Sequence, residues 1–180
     1  MTPDKTRLVL KTMFATVWLI AVLGMAAGVL VMASGWYNIG ATAQHWQPVH
    51  TFLEKGMRQS VRHHARDIRA PSLTAPTRIR RGAAIYRDSC VQCHGAPGVA
   101  PADIGKSMQP IPGPLVDAAK HWQASEMYWI TRHGIKMSGM PAWEFRMSDD
   151  DIWSVVAFLK KLPELSPQAY TELTGRKENP

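Results

Sequence analysis

Apolar and polar positions divide this chain into unlike regions. From Thr12 to Leu53 there is no Asp, Glu, Lys or Arg, and within that run Thr12–Ala33 is 22 residues of almost unbroken apolar sequence. At about 1.5 Å per residue such a helix spans roughly 30 Å, the thickness of a bilayer core. Lipid offers the backbone no hydrogen-bonding partner, so a helix is the form such a segment takes. We therefore expect a membrane helix over residues 12–34, with Trp36 and Tyr37 at the interfacial position just beyond it. A cleaved signal peptide is the alternative, and Ala41-Thr42-Ala43 resembles a cleavage site. Signal cores are shorter, about 7–15 residues, so length favours an anchor.

A second period begins at Pro48. Val49, Phe52, Leu53, Met57, Val61 and Ile68 recur at intervals close to a single helical stripe, predicting an amphipathic helix over Pro48–Ile68. Lys55, Arg58, Arg62, His63 and Arg66 largely avoid that stripe. Such a helix packs on its own domain, lies on anionic headgroups, or docks on a partner subunit. Ala70–Thr77, with Pro71 and Pro76, reads as an extended linker. Farther on, Ser148 followed by Asp149, Asp150 and Asp151 reads as a helix cap with acids in the first turn, leading into Ile152–Leu159.

Charge sharpens this division. The formal charge is +7 over 180 residues, which would suit a nucleic-acid or anionic-membrane binder. The excess is local: residues 1–53 carry +2, residues 54–81 carry +6, and residues 82–180 carry −1. No nucleic-acid partner is expected of a chain whose larger part is nearly neutral. Lys5, Arg7 and Lys11 flank the start of the apolar run, which places residues 1–11 in the cytoplasm and exports the chain beyond residue 34.

Both cysteines of the protein fall in Cys90-Val91-Gln92-Cys93-His94. That spacing suits two thioether bonds to the two vinyl groups of one haem, with the next residue placing an imidazole on the iron. A zinc site would need another Cys/His pair at ligand spacing, and His63-His64 is upstream and adjacent. A dithiol redox site would follow a strand in a βαβ pattern, which the sequence lacks. A disulfide three residues long would close too short a loop to stabilise much.

Residues 80–163 resemble the monohaem c-type cytochromes of the class I fold. The resemblance rests on the CVQCH motif, on Gly95-Ala96-Pro97-Gly98 after it, on the Arg81–Ser89 segment before it, and on the helix that Ser148 opens. It implies an all-α haem domain whose terminal helices cross, with Gly82, Tyr86, Trp153 and Phe158 as the candidates for that contact. It also implies a methionine loop in Gly134–Trp143, where the ligand directly precedes proline, pointing to Met140. Pro141 bars Met140 from helical geometry and stiffens the loop. Met137 competes three residues away, Met108, Met127 and Met147 are further thioethers, and His121 or His133 would give bis-histidine ligation. The stretch Pro110–Pro114 resembles the loop lining the proximal side, where a prolyl carbonyl could accept the His94 Nδ1–H.

The expected organisation is a cytoplasmic N-terminus (1–11), an anchor helix (12–34), a periplasmic amphipathic helix and linker (35–79), a class I cytochrome c-like haem domain (80–165) and a C-terminal tail (166–180). One covalent haem c is expected, attached through Cys90 and Cys93, with His94 and Met140 on the iron. The expected role is one-electron transfer at the bacterial inner membrane, as a carrier or complex subunit rather than a catalyst by itself. Its partners would be a terminal oxidase, a quinol-oxidising complex or a dehydrogenase, with anionic lipid or an acidic partner surface at residues 54–81. The alternatives are the haem c subunit of a periplasmic dehydrogenase, or a structural subunit whose 34–80 arm binds a larger complex.

Overall fold

A computed structural model describes residues 3–175, which form two compact units dividing after residue 43. Every named element among the described residues is helical. The first unit is one helix, α1, Pro3–Ser34, of 32 residues. It begins ahead of the apolar run, so Lys5, Arg7 and Lys11 ride on its opening turns and the expected separate N-terminal segment is helical from Pro3. Its apolar side chains are exposed along its length, as at Phe14 and Leu30, which in water would be a severe hydrophobic cost. The helix is long and apolar enough to cross a membrane. Gly35, at φ +68°, ends it in the left-handed conformation that glycine adopts without penalty.

The second unit opens with α2, Gln47–Ala65, which has Pro48 in its first turn. It continues through α3 (Pro76–Ser89), α4 (Val91–His94), α5 (Asp103–Lys106), α6 (Ala118–His121), α7 (Ala124–His133), α8 (Asp149–Lys161) and α9 (Pro167–Thr174). The core is the crossing of α3 with α8, where every residue from Ile152 to Leu159 is buried. Helices approach this closely only where a side chain is missing. A Cβ at Gly82 would fall inside the Ser154 carbonyl oxygen and lie 3.0 Å from the Phe158 Cβ. One turn on, the Tyr86 and Phe158 rings pack at 5.1 Å. Gly82, Tyr86 and Phe158 thus make the expected contact. Trp153 instead stacks on Tyr128 of α7, at 4.2 Å and 15° between planes.

Ser148 opens α8 as its sequence predicts. Its Oγ accepts from the Asp151 N–H at 3.2 Å, and the Asp151 carboxylate accepts the Ser148 N–H at 3.3 Å. The Ser148 hydroxyl first, then Arg81, holds the Asp151 carboxyl below the usual carboxylate range. A depressed carboxyl stabilises the fold above its unfolded pKa, and the contribution is lost as pH falls through the folded value. Ser148→Ala should cost about 1 kcal/mol in denaturant unfolding at neutral pH. The gap from wild type should shrink in acid, where Asp151 is protonated in both proteins.

Packing decides two regions. Of the three placements open to the amphipathic helix, its later turns pack on their own unit: Val61 and Ala65 of α2 are buried, Arg62 lies 3.8 Å from Glu126, and the His64 ring stacks on Trp129 of α7 at 5.5 Å. Residues 166–175, expected as the start of a tail, form α9, whose Tyr170 is fully buried near Phe158 and whose Thr174 carbonyl accepts from Arg87. Residues 176–180, the rest of that expected tail, lie outside the described residues.

Packing also redistributes the charge. Arg78 meets Asp150 at 2.8 Å and Arg81 meets Asp151 at 2.6 Å, while Arg58 is held by Glu54 and lies over the Trp122 ring. Much of the +6 segment therefore faces acids and an aromatic ring of its own unit. Lys55, Arg69 and Arg80 remain exposed.

Candidate functional site

The cysteine–histidine motif occupies the end of α3 and the single turn α4. Cys90 closes α3, its N–H donating to the Tyr86 carbonyl at 2.9 Å, and the His94 N–H donates to the Cys90 carbonyl at 3.0 Å. This local winding sets Cys90 one turn before the adjacent Cys93 and His94. Gly95, at φ +65°, then reverses the chain, and its carbonyl accepts from the Tyr86 hydroxyl at 2.6 Å. Burial first, then neighbouring groups, pushes the Tyr86 hydroxyl far up, so it stays a donor. Tyr86 thereby ties the α3–α8 core to the residue after His94.

The two thiols are free of each other. Burial, with Cys93 adding to it, pushes the Cys90 thiol up to about 12. A reactive dithiol needs the opposite, a thiolate stabilised near neutral pH. His94 is pulled below its ordinary value by burial, against a hydrogen bond that favours the charged form. A neutral imidazole is the ligand form.

That hydrogen bond orients the ring. His94 Nδ1 lies 2.8 Å from the Gly113 carbonyl, which fixes Nδ1 as the protonated nitrogen and leaves Nε2 with its lone pair. The expectation of an acceptor in Pro110–Pro114 holds for the loop but not for the residue type: the acceptor is a glycyl carbonyl, flanked by Pro112 and Pro114. Around His94 runs a cleft lined by Ala96, Val99, Pro101, Pro112, Pro114, Leu115 and Val116. An apolar slot beside an oriented imidazole, with two thiols just before that histidine in the chain, has the donor chemistry that a macrocycle held by thioethers would use.

The methionine loop is built as tightly. Gly134 has φ +66°, and a Cβ there would come within 2.6 Å of the Met140 carbonyl oxygen. That carbonyl accepts from the Ile135 N–H at 3.2 Å, the Met140 N–H donates to Ser138 Oγ at 3.1 Å, and Ser138 Oγ donates to the Ile135 carbonyl at 2.8 Å. Both backbone groups of Met140 are thus fixed. Gly139 lies against the Met108 side chain, which a Cβ there would push aside.

The competitors are placed otherwise. Met137 is 91% exposed at φ +58°, and Met127 is buried in the same core cluster as Ala83 and Tyr128. His121 is exposed. His133 is exposed too, its ring against Trp129 and its Nδ1 3.5 Å from Glu144. Among the described residues no cluster of three His, Cys, Asp or Glu could hold a separate metal ion.

Residues 77–159 match the family described as cytochrome c oxidase, cbb3-type, subunit III. No curated protein and no solved structure matches the chain.

Proposed function

We propose, on the premise that residues 77–159 form a monohaem c-type cytochrome domain with covalently bound haem c, that this protein is a membrane-tethered electron carrier serving a respiratory oxidase. When bound, the haem supplies a one-electron couple in which iron changes charge with little rearrangement. The chain's residues supply the rest. Cys90 and Cys93 would attach the group, His94, its imidazole oriented by the Gly113 carbonyl, would bind the iron, and Met140, held by the Ser138–Ile135 hydrogen bonds, would supply a thioether ligand. The observation that carries the reading is the His94 imidazole held by the Gly113 carbonyl in the tautomer that leaves Nε2 free to bind a metal.

Tethering rests on α1, whose exposed apolar surface needs lipid. Lys5, Arg7 and Lys11 at its start favour a cytoplasmic N-terminus and a periplasmic haem domain. An anchor raises the effective concentration of the haem at membrane partners, as suits a subunit or close partner of an oxidase. Lys55, Arg69 and Arg80 are the cations left for anionic lipid or an acidic partner surface.

Purification of the full chain from its native membranes in mild detergent tests the assignment. Oxidase subunits should accompany it, and the dithionite-reduced haem should be reoxidised by oxygen in a cyanide-sensitive reaction. Recovery with a periplasmic dehydrogenase and no oxidase, or reoxidation that cyanide leaves untouched, would overturn the oxidase assignment.

A further inference from the structure

Helix α2 has two apolar faces. At about 100° per residue, Val61 and Ala65, the buried positions against the domain, point one way. Val49, Phe52 and Leu53 point roughly 140° from them. The second face is bare: Phe52 is 76% exposed, Leu53 50% and Val49 41%, with the preceding Trp46 at 77%. Trp46, Val49, Phe52 and Leu53 take the i, i+3, i+6, i+7 spacing of one helical stripe, confined to the first two turns. There the helix has no buried residue.

Three observations select the occupant of this face. The charge-free run of the sequence does not stop with α1 at Ser34; it continues through Leu53 and ends at Glu54, where the bare apolar stripe also ends. An apolar stripe two turns long that carries no charge suits the face an interfacial helix buries at the acyl–headgroup boundary. The twelve residues between Ser34 and Gln47 reach at most about 40 Å, so α2 starts within reach of the surface where α1 leaves the membrane. Exposed Lys55 stands at the lower border of the stripe, on the side of Phe52, placed to meet anionic headgroups.

We infer that the first two turns of α2 lie in the bilayer surface, with Phe52 and Leu53 inserted at the acyl–headgroup boundary. The inference rests on the membrane-tethered reading. Because the other end of α2 is clamped to α7 by Val61, Ala65 and the His64–Trp129 stack, this contact sets how the haem domain stands on the membrane. A tether alone would let the domain tumble; a second point of attachment restricts the directions its haem presents to a partner.

The full-length holoprotein in nanodiscs allows a direct test. Both native cysteines are consumed by haem attachment, so Phe52→Cys or Leu53→Cys can each be spin-labelled at one site. Lys160→Cys, exposed on α8, is the reference. Labels at 52 and 53 should collide more with oxygen than with a water-soluble nickel chelate, the reverse of the label at 160. That preference should be stronger with phosphatidylglycerol than with phosphatidylcholine alone. A label at 52 and 53 as accessible to nickel as at 160 would overturn the inference, and so would one shielded from both quenchers, which would assign the face to a second copy of this chain. Flotation of the unlabelled chain with liposomes and its resistance to carbonate extraction test the tether separately. Failure there removes the anchored reading itself, whereas a chain that floats while residue 52 stays water-exposed removes only this contact.

Discussion

Gly82→Ala should cost about 3 kcal/mol or more, the largest loss of stability expected from a single methyl in this protein. In most helices the same change is favourable by roughly 0.5–1 kcal/mol, because alanine loses less backbone freedom on folding. Here the added Cβ would overlap the Ser154 backbone carbonyl and press on Phe158. A backbone atom cannot rotate away, so α3 and α8 must separate along the one crossing that organises the core. Overpacking of this kind costs about 1–3 kcal/mol where side chains can yield, and more where they cannot. A domain holding about 5–15 kcal/mol in all would lose much of its margin. Denaturant unfolding of the holoprotein in detergent, monitored through its haem absorbance, measures the difference. Gly56→Ala is the counterpart: no atom lies within 4 Å of a Cβ there, in the middle of α2, so it should be neutral or stabilise by up to about 1 kcal/mol. Equal effects at the two glycines would remove the crossing from the account of this fold.

The same residues show what is legible in a sequence. Gly82, Tyr86 and Phe158 were legible only through the resemblance, which supplied both the crossing and the glycine and aromatics expected at it. The CVQCH motif was legible because five adjacent residues carry its chemistry. The Gly113 carbonyl was not, since a backbone acceptor has no side-chain signature; only its proline-rich loop stood out. Helix α9 escaped although its signals are present: Ser166 caps it, Pro167 opens it and Gly175 ends it at φ +62°. Its short apolar pattern hid them. The capping box of Gln123 and Glu126 on α7 is equally readable and equally escaped.

The connector misleads for a different reason. Its apolar positions resemble one stripe, but position along a sequence does not say which face finds a partner. Val61 and Ala65 turn to α7 while Val49, Phe52 and Leu53 turn away. Its cations count as free charge only without their partners, and Asp150, Asp151 and Glu126 lie 64 or more residues downstream of the arginines they meet. Net charge by segment is a property of the chain; the charge available to a partner is a property of the fold.

Met140→Ala should lower the reduction potential on the order of 100 mV, a fraction of the roughly 0.8 V over which axial ligands set haem potentials, and open the iron to carbon monoxide. A thioether opposite histidine favours the reduced state, and its removal withdraws that preference. The structure says why another thioether should not take its place. Met127 is packed in the core and Met147 against it, while the Met108 side chain lies beside Gly139. Met137 stands exposed at φ +58°, a conformation that costs a non-glycine residue energy and turns its side chain into solvent. Met137→Ala is therefore expected to leave the potential and the spectrum unchanged. Ser138→Ala should fall between them: the backbone of Met140 loses its hydroxyl acceptor, so the near-infrared methionine–iron band of the oxidised protein should weaken while the protein remains folded. Potentiometric titration, carbon monoxide difference spectra and that band, measured on all three variants, separate the roles. A Met140→Ala protein that keeps the band and refuses carbon monoxide would show that another residue holds the iron. Loss of the band and binding of carbon monoxide in Met137→Ala would instead move the ligand three residues upstream and leave the Ser138 network without a function.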